Sequence, residues 1–161
     1  MTTTSDNRPS SWPVTWPVAA RDLDPEAVAG VALADFTAAV LSGDVEALVD
    51  QFCADGDAVY AGSEVGEVAV GAIALHELFS DLAGRDERYS FVAESLVVVP
   101  GASGVVVLAD GRLGVHPRRE DGSFGPPDEQ LPYRASGLLE EERGGWRWRY
   151  FQGSEPVEPP A

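Results

Sequence analysis

The chain has 161 residues and a formal charge of -16, from 27 acidic residues against 11 basic ones. A charge of this sign and size repels phosphate backbones and anionic membrane surfaces, so we expect no nucleic-acid partner and no membrane partner. The apolar fraction of 44% is sufficient for one domain with its own core.

Residues 1–23 are predicted to form an extended arm, because they are rich in Pro, Ser and Thr. The start of the chain lacks the basic and apolar regions of a signal peptide. No apolar run approaches the ~20 residues of a membrane span, so a cytoplasmic protein is expected. We expect Trp12 and Trp16 of the arm to pack on the domain or on a partner subunit.

Three helices are predicted in the first half of the chain. The first begins at Asp24-Pro25, where an N-cap acid precedes a proline suited to the first turn, and it ends at Ser42-Gly43. Asp44 caps a shorter second helix, and we expect Cys53 beyond it to be a buried, unpaired thiol. The third helix begins at Gly71, and its predicted apolar side comprises Ile73, Leu75, Leu78, Phe79 and Leu82.

Six strands are predicted around and after the third helix. Two are short, one at 57–62 and one at 67–71, where a turn is the alternative, and a polar loop at 116–130 divides the longer ones. The longer strands cover 89–100, 105–115, 131–142 and 145–153. Helices followed by antiparallel strands indicate an α+β fold, in which one curved sheet carries the helices on one side. Residues 154–161 are predicted to be a Pro-rich tail.

The last strand, GWRWRYFQG, alternates aromatic residues with arginines. Because side chains in a strand face alternate sides, the interior face is predicted to carry Trp146, Trp148, Tyr150 and Gln152. The opposite face is predicted to carry Arg147, Arg149 and Phe151. Glu140 and Glu142 on the neighbouring strand could pair with the arginines. The pattern therefore favours a structural strand over a platform for stacking nucleic-acid bases.

Three stretches together resemble one known family. FTAAVLSGDVEALVDQFCADGDAVYAG (36–62) has a small-Gly-Asp break between two helices, and GAIALHELFSDL (71–82) is a helix that starts at a glycine. GWRW…GSEP (145–156) is an aromatic-led last strand. Over residues 24–157 these features resemble the SnoaL-like branch of the nuclear transport factor 2-like superfamily. The resemblance implies a domain at 24–153, a strongly curved sheet that wraps around helices as a cone with an open-ended pocket, and a homodimer formed through the sheet.

The resemblance also implies where an isomerase of this superfamily would carry its catalytic groups. The tyrosine donor would fall at about Phe36, which has no donor, and the base would fall near Tyr60, where no carboxylate lies. The second donor would fall near Arg134, in the stretch Arg-Ala-Ser-Gly. The isomerase pattern is therefore not matched. Other candidate bases are Glu64, Glu94, Asp110 and His116.

The sequence favours a domain that binds a small hydrophobic or aromatic molecule. The predicted ligand-binding residues are Phe36, Phe52, Tyr60, Phe79, Arg134, Trp148, Tyr150 and Gln152. Two alternatives remain, a cyclase, isomerase or dehydratase with one of the four candidate bases, and a non-catalytic dimerisation or interaction domain. His76 and His116 have no metal-ligand spacing, so we expect no metal and no cofactor.

Overall fold

Three helices and six strands make up residues 24–157, the part of the chain that this computed structural model describes. In chain order the elements are α1 (Pro25–Ser42), α2 (Val45–Val49), β1 (Val59–Ala61), β2 (Val68–Val70), α3 (Gly71–Gly84), β3 (Glu87–Pro100), β4 (Gly104–Pro117), β5 (Glu129–Glu142) and β6 (Gly145–Ser154). The predicted arm, with its two tryptophans, and residues 158–161 lie outside the described residues.

The predicted helix ends are confirmed by their caps. The Asp24 carboxylate accepts a hydrogen bond from the Glu26 backbone N–H at 3.1 Å, and the Asp44 carboxylate accepts one from the Ala47 N–H at 3.0 Å. Gly43 ends α1 in the left-handed region, with φ of 72°. These ends follow from local chemistry, which explains why the sequence was enough to place them.

The six strands form one curved sheet in the order β2-β1-β6-β5-β4-β3. β1 pairs with β6 in parallel, and every other pair in the sheet is antiparallel. The predicted α+β class is therefore confirmed.

α1 lies along the edge strand β3, where the Thr37 hydroxyl donates to the Phe91 carbonyl at 3.2 Å. The helix thereby covers an edge that would otherwise expose unpaired backbone groups.

The core lies between the helices and one face of the sheet, here called the inner face. α1 buries Ala29, Leu33, Phe36 and Ala39 there, and α3 buries Leu75 and Phe79. The prediction that Ile73 belongs to the apolar side of α3 is wrong, because Ile73 is 79% exposed. Its position two residues before Leu75 turns it about 200° around the helix axis, away from the buried face.

One described helix, α1, is long and apolar enough by length and composition to cross a membrane. The core helix of a folded protein passes the same test. Four positions of α1 are buried within this fold, and Phe36 stacks on Phe151 of β6 with 4.5 Å between ring centroids. These contacts pack one side of α1 against the core, whereas Val31 on another side of the helix is 61% exposed.

A β-bulge in β6 changes which of its side chains face the core. Tyr150 pairs with Leu138, whereas Trp148 pairs with the next residue, Leu139, so Arg149 is an extra residue in β6. The extra residue shifts the alternation by one. Trp148 faces inward as predicted, but Phe151 then takes the next inward position. The predicted inward orientation of Tyr150 and Gln152, and the outward orientation of Phe151, are therefore wrong.

The outward arginines of β6 pair as the sequence predicted. Arg149 Nε donates to Glu140 at 2.8 Å, and Arg147 Nε lies 3.8 Å from Glu142. Arg149 also forms a two-pronged contact with Asp55, which was not predicted. The bulge allows the Arg149 side chain to contact Asp55, because it places Arg149 outside the regular register of β5 and β6.

Candidate functional site

A cavity of about 90 Å³ lies between α1, α3 and the inner face of the sheet. Its apolar wall comprises Leu33, Phe36, Val40, Tyr60, Phe79, Leu82, Phe91, Leu113 and Phe151. Its polar lining comprises Thr37, Ser63, Glu64, Glu67, Arg85, Tyr89, Ser90, Tyr133 and Glu155. Ser63, Glu64 and Glu155 are exposed, so they mark the end of the cavity that meets solvent. The cavity is thus apolar on most sides and polar at its mouth.

The predicted ligand-binding residues separate into three groups. Phe36, Tyr60 and Phe79 line the cavity, and their binding role stays a prediction. Phe52 and Trp148 lie in the core behind the wall, at 2% and 1% exposure, and do not line the cavity. The remaining three, Arg134, Tyr150 and Gln152, lie on the outer face of the sheet.

The four candidate bases are also separated. Glu64 lines the cavity. Glu94 and Asp110 lie on the outer face, where they pair with Arg112 at 3.4 Å and Arg134 at 2.7 Å. The sheet stands between these two acids and the cavity, because their side chains point away from the helices.

His116, the fourth candidate base, is buried in β4 and does not line the cavity. Its Nδ1 lies 2.8 Å from the Gly125 carbonyl, and its Nε2 lies 2.8 Å from Ser90 Oγ. A carbonyl oxygen can only accept, so Nδ1 donates to the Gly125 carbonyl, while Nε2 is hydrogen-bonded to the Ser90 hydroxyl. His116 therefore ties β3 to the loop that follows β4.

Glu67 and Arg85 are the central polar residues of the site, and the sequence analysis did not identify them. Arg85 Nη2 lies 2.9 Å from Glu67 Oε1 and 3.3 Å from Glu64 Oε2. The Glu67 side chain is 10% exposed. A Cβ at Gly62 would overlap the Glu67 carboxylate, so the glycine provides the space for this acid.

The environment of Arg85 keeps it charged. Burial acts to lower the pKa of the Arg85 guanidinium, but the hydrogen bond with Tyr89 and the charges of Glu64 and Glu67 outweigh that effect. The net result is a raised pKa. Arg85 therefore stays positively charged and pairs with the carboxylates of Glu64 and Glu67.

Three tyrosines place hydroxyl groups on the cavity. Burial raises the pKa of Tyr60, and no side-chain hydrogen bond to its hydroxyl forms within residues 24–157. Burial also raises the pKa of Tyr133 to about 12, with Ser63 acting in the opposite direction. The pKa of Tyr89 is raised to about 12 by burial and then by its hydrogen bond to Glu87. All three phenols stay neutral near pH 7. Tyr89 already donates its proton to Glu87, so Tyr60 and Tyr133 are the two phenols that can donate a hydrogen bond to a ligand.

Comparison with known proteins places this architecture in a family. A model of the SnoaL-like domain matches residues 31–158. The chain belongs to the SnoaL-like domain family. No curated protein matches this SnoaL-like chain.

Solved structures share the fold of this SnoaL-like domain at low sequence identity. A candidate dehydratase from the NTF2-like family of Streptomyces avermitilis has a TM-score of 0.66 and 16% identity, covering 83% of this chain and 98% of that one. An NTF2-like protein of unknown function from Pseudomonas putida has a TM-score of 0.63 and 15% identity, with 83% and 87% covered. A ketosteroid isomerase-like protein from Erwinia carotovora atroseptica has a TM-score of 0.59 and 20% identity, with 84% and 98% covered.

The site of this SnoaL-like domain keeps its departures from the isomerase pattern. Phe36 lines the cavity without a donor, and Arg134 is exposed on the outer face. Among residues 24–157, no group of three or more His, Cys, Asp and Glu side chains could hold a metal ion. The enzymatic alternative therefore rests on Glu64, the one predicted base that lines the cavity.

Proposed function

We propose that this SnoaL-like domain binds a small hydrophobic or aromatic molecule in the cavity between α1, α3 and the sheet. The observation that carries the proposal is the composition of the lining, with aromatic and aliphatic side chains on the wall and the polar residues Ser63, Glu64 and Glu155 exposed at the mouth. Ligand sites commonly combine a mostly apolar lining with a few placed polar groups. The wall would bind the apolar part of the ligand, and the tyrosine hydroxyls would orient its polar part.

The size of the cavity limits the ligand. Its volume of about 90 Å³ is well below the ~300–1,000 Å³ of pockets that enclose drug-sized ligands. The group that enters is therefore small, such as one ring or a short branched chain. A larger ligand would extend past Ser63 and Glu155, which are exposed at the mouth.

Filling the cavity is expected to abolish binding of a small aromatic probe. Leu113 lines the cavity from β4, so Leu113→Trp would place an indole in the space that the ligand uses. We expect the affinity for benzyl alcohol, measured by ligand-observed NMR titration, to fall at least about tenfold. Ile73→Trp adds the same ring at an exposed position of α3 and should leave the affinity unchanged. Equal binding by Leu113→Trp and wild type would overturn the proposal, as would no binding by the wild type.

We further propose that the outer face of the sheet binds a second copy of the chain, as the family resemblance implies. On β3 and β4 that face exposes five aliphatic side chains, Val92, Val97, Val99, Val106 and Leu108. Grouped apolar side chains of this kind often mark a protein interface. In a two-fold dimer each copy would contribute the same patch, so one substitution acts twice.

A charge within the outer patch is expected to separate the dimer. By sedimentation velocity, the wild type should have about twice the 17.1 kDa chain mass, and Val106→Asp should have the mass of one chain. The reason is that each interface would then bury two unpaired carboxylates. Val65→Asp, in the fully exposed turn between β1 and β2, is the matched control and should stay dimeric. A monomeric wild type would contradict this proposal without affecting the cavity.

A further inference from the structure

The mouth of the cavity carries more negative than positive charge. Among the residues that line the cavity, Glu64, Glu67 and Glu155 are acidic and Arg85 alone is basic. We call the three glutamates the acidic rim. Formally, three negative charges face one positive charge, which leaves two negative charges at the mouth. A ligand entering here meets a negative potential.

The one cation of the mouth is not available to an anionic ligand. Arg85 already contacts the carboxylates of Glu67 and Glu64. A ligand carboxylate or phosphate would have to displace one of these two contacts and would still lie beside the remaining acids. The mouth therefore disfavours anions for two reasons. It carries net negative charge, and its cation, the Arg85 guanidinium, is already paired with Glu67 and Glu64.

Two acids of the rim can adjust to a ligand. The Glu64 side chain is 59% exposed, and Glu155 is exposed and accepts a hydrogen bond from the Ser63 hydroxyl at 3.3 Å. Glu67 is fixed, because it is buried and bound to Arg85. A cationic group at the mouth could thus be met by Glu64 and Glu155 without breaking the Glu67–Arg85 pair.

The aromatic wall adds a second feature that suits a cation. Phe36, Tyr60, Phe79, Phe91 and Phe151 all line the cavity, and Tyr133 lies across from Phe91 at 5.9 Å between centroids. Aromatic faces attract ammonium groups that lie close to them, through the quadrupole of the ring. The Tyr60 hydroxyl, within a residue that is 7% exposed, adds a neutral polar group deep in the same wall.

We propose that the ligand is a small organic cation, an amine whose apolar group enters the cavity while its ammonium lies at the acidic rim. This inference rests on the proposed function, because it concerns the same cavity. The formal charge of -16 also raises the local concentration of cations and steers them to the protein.

The test compares probes of similar size and different charge. Benzylammonium, benzyl alcohol and benzoate are titrated into the full chain at pH 7, and binding is followed by ligand-observed NMR. We expect benzylammonium to bind about five- to tenfold more tightly than benzyl alcohol, and benzoate to bind most weakly. The preference for benzylammonium over benzyl alcohol should shrink as the salt concentration is raised, because Glu64 and Glu155 are exposed to solvent.

Charge-neutral variants locate the effect. Glu64→Gln and Glu155→Gln together should bring the affinity for benzylammonium close to that for benzyl alcohol, while the affinity for the alcohol stays constant. Glu141→Gln removes one charge from an exposed position of β5 that does not line the cavity, so it should retain the preference. Loss of the preference in Glu141→Gln would mean that net charge, and not the rim, is responsible.

The outcomes separate this inference from the proposed function. If benzyl alcohol binds as tightly as benzylammonium, or benzoate binds more tightly, the cationic ligand is ruled out and the cavity remains a binding site. If none of the three probes binds, the proposed function fails as well.

Discussion

Replacement of Trp148 with alanine is expected to lower the free energy of unfolding by about 3–5 kcal/mol. The side chain is 1% exposed, and its ring packs edge-on against Phe151 at 5.2 Å between centroids. Alanine would leave a cavity in the centre of the core, and the rigid strands around it could close that space only partly. The backbone bonds from Trp148 N to Gln51 O and from Cys53 N to Trp148 O do not depend on the side chain, so the loss is one of packing.

Urea denaturation followed by circular dichroism measures this loss, and the neighbouring arginine provides the control. Arg147→Ala removes a side chain that is 30% exposed, its hydrogen bond to the Asp50 carbonyl and a long contact with Glu142, so we expect a change within about 1 kcal/mol. Trp148→Phe is a second test if the alanine variant does not fold. It should cost less, because the buried Trp148 Nε1 has no hydrogen-bond partner among residues 24–157. A larger loss for Arg147→Ala than for Trp148→Ala would show that the faces of β6 are assigned incorrectly.

Replacement of Arg85 with alanine is expected to destabilise the domain by about 2–3 kcal/mol. The variant would leave the Glu67 carboxylate, 10% exposed, without the cation that compensates its burial. The expected value is at the low end for a broken buried pair, since the Arg85 side chain is itself 33% exposed and solvent screens part of the interaction. Thermal and urea unfolding of the variant measure the effect.

A second substitution distinguishes the lost charge pair from lost packing. Arg85→Ala combined with Glu67→Gln should recover a large part of the stability, because the unpaired buried charge is then removed. Arg112→Ala removes an exposed arginine whose partner, Glu94, is also exposed, so it should change stability by no more than about 0.5 kcal/mol. If Glu67→Gln gives no recovery, the importance of Arg85 lies in its packing and not in its charge.

The predictions that were confirmed depend on neighbours in the sequence. Asp24 and Asp44 cap helices within three residues of themselves, and Gly43 supplies the left-handed conformation that ends α1. The last two strands were predicted at 131–142 and 145–153, and the turn between them forms at Arg143 and Gly144, both with positive φ, as a two-residue hairpin turn requires. The order of helices and strands, and with it the family resemblance, followed from such local patterns.

The predictions that were wrong depend on residues distant in the chain. Strict alternation placed Tyr150 and Gln152 toward the interior, but the bulge at Arg149 reverses the alternation after Trp148. The bulge coincides with the contacts of Arg149 with Glu140 and Asp55, and Asp55 lies 94 residues away along the chain. No local pattern in GWRWRYFQG encodes that contact.

The sequence alone therefore determined the α+β class and the ends of the helices, because these depend on short-range geometry and on apolar periodicity. The tertiary structure decided the site. It joined Glu67 of the β1–β2 turn to Arg85 after α3, turned Tyr150 and Gln152 outward, and buried His116 beneath a loop. A cavity is what remains between elements once they have packed, so its lining is set by contacts between distant residues and not by any one stretch of sequence.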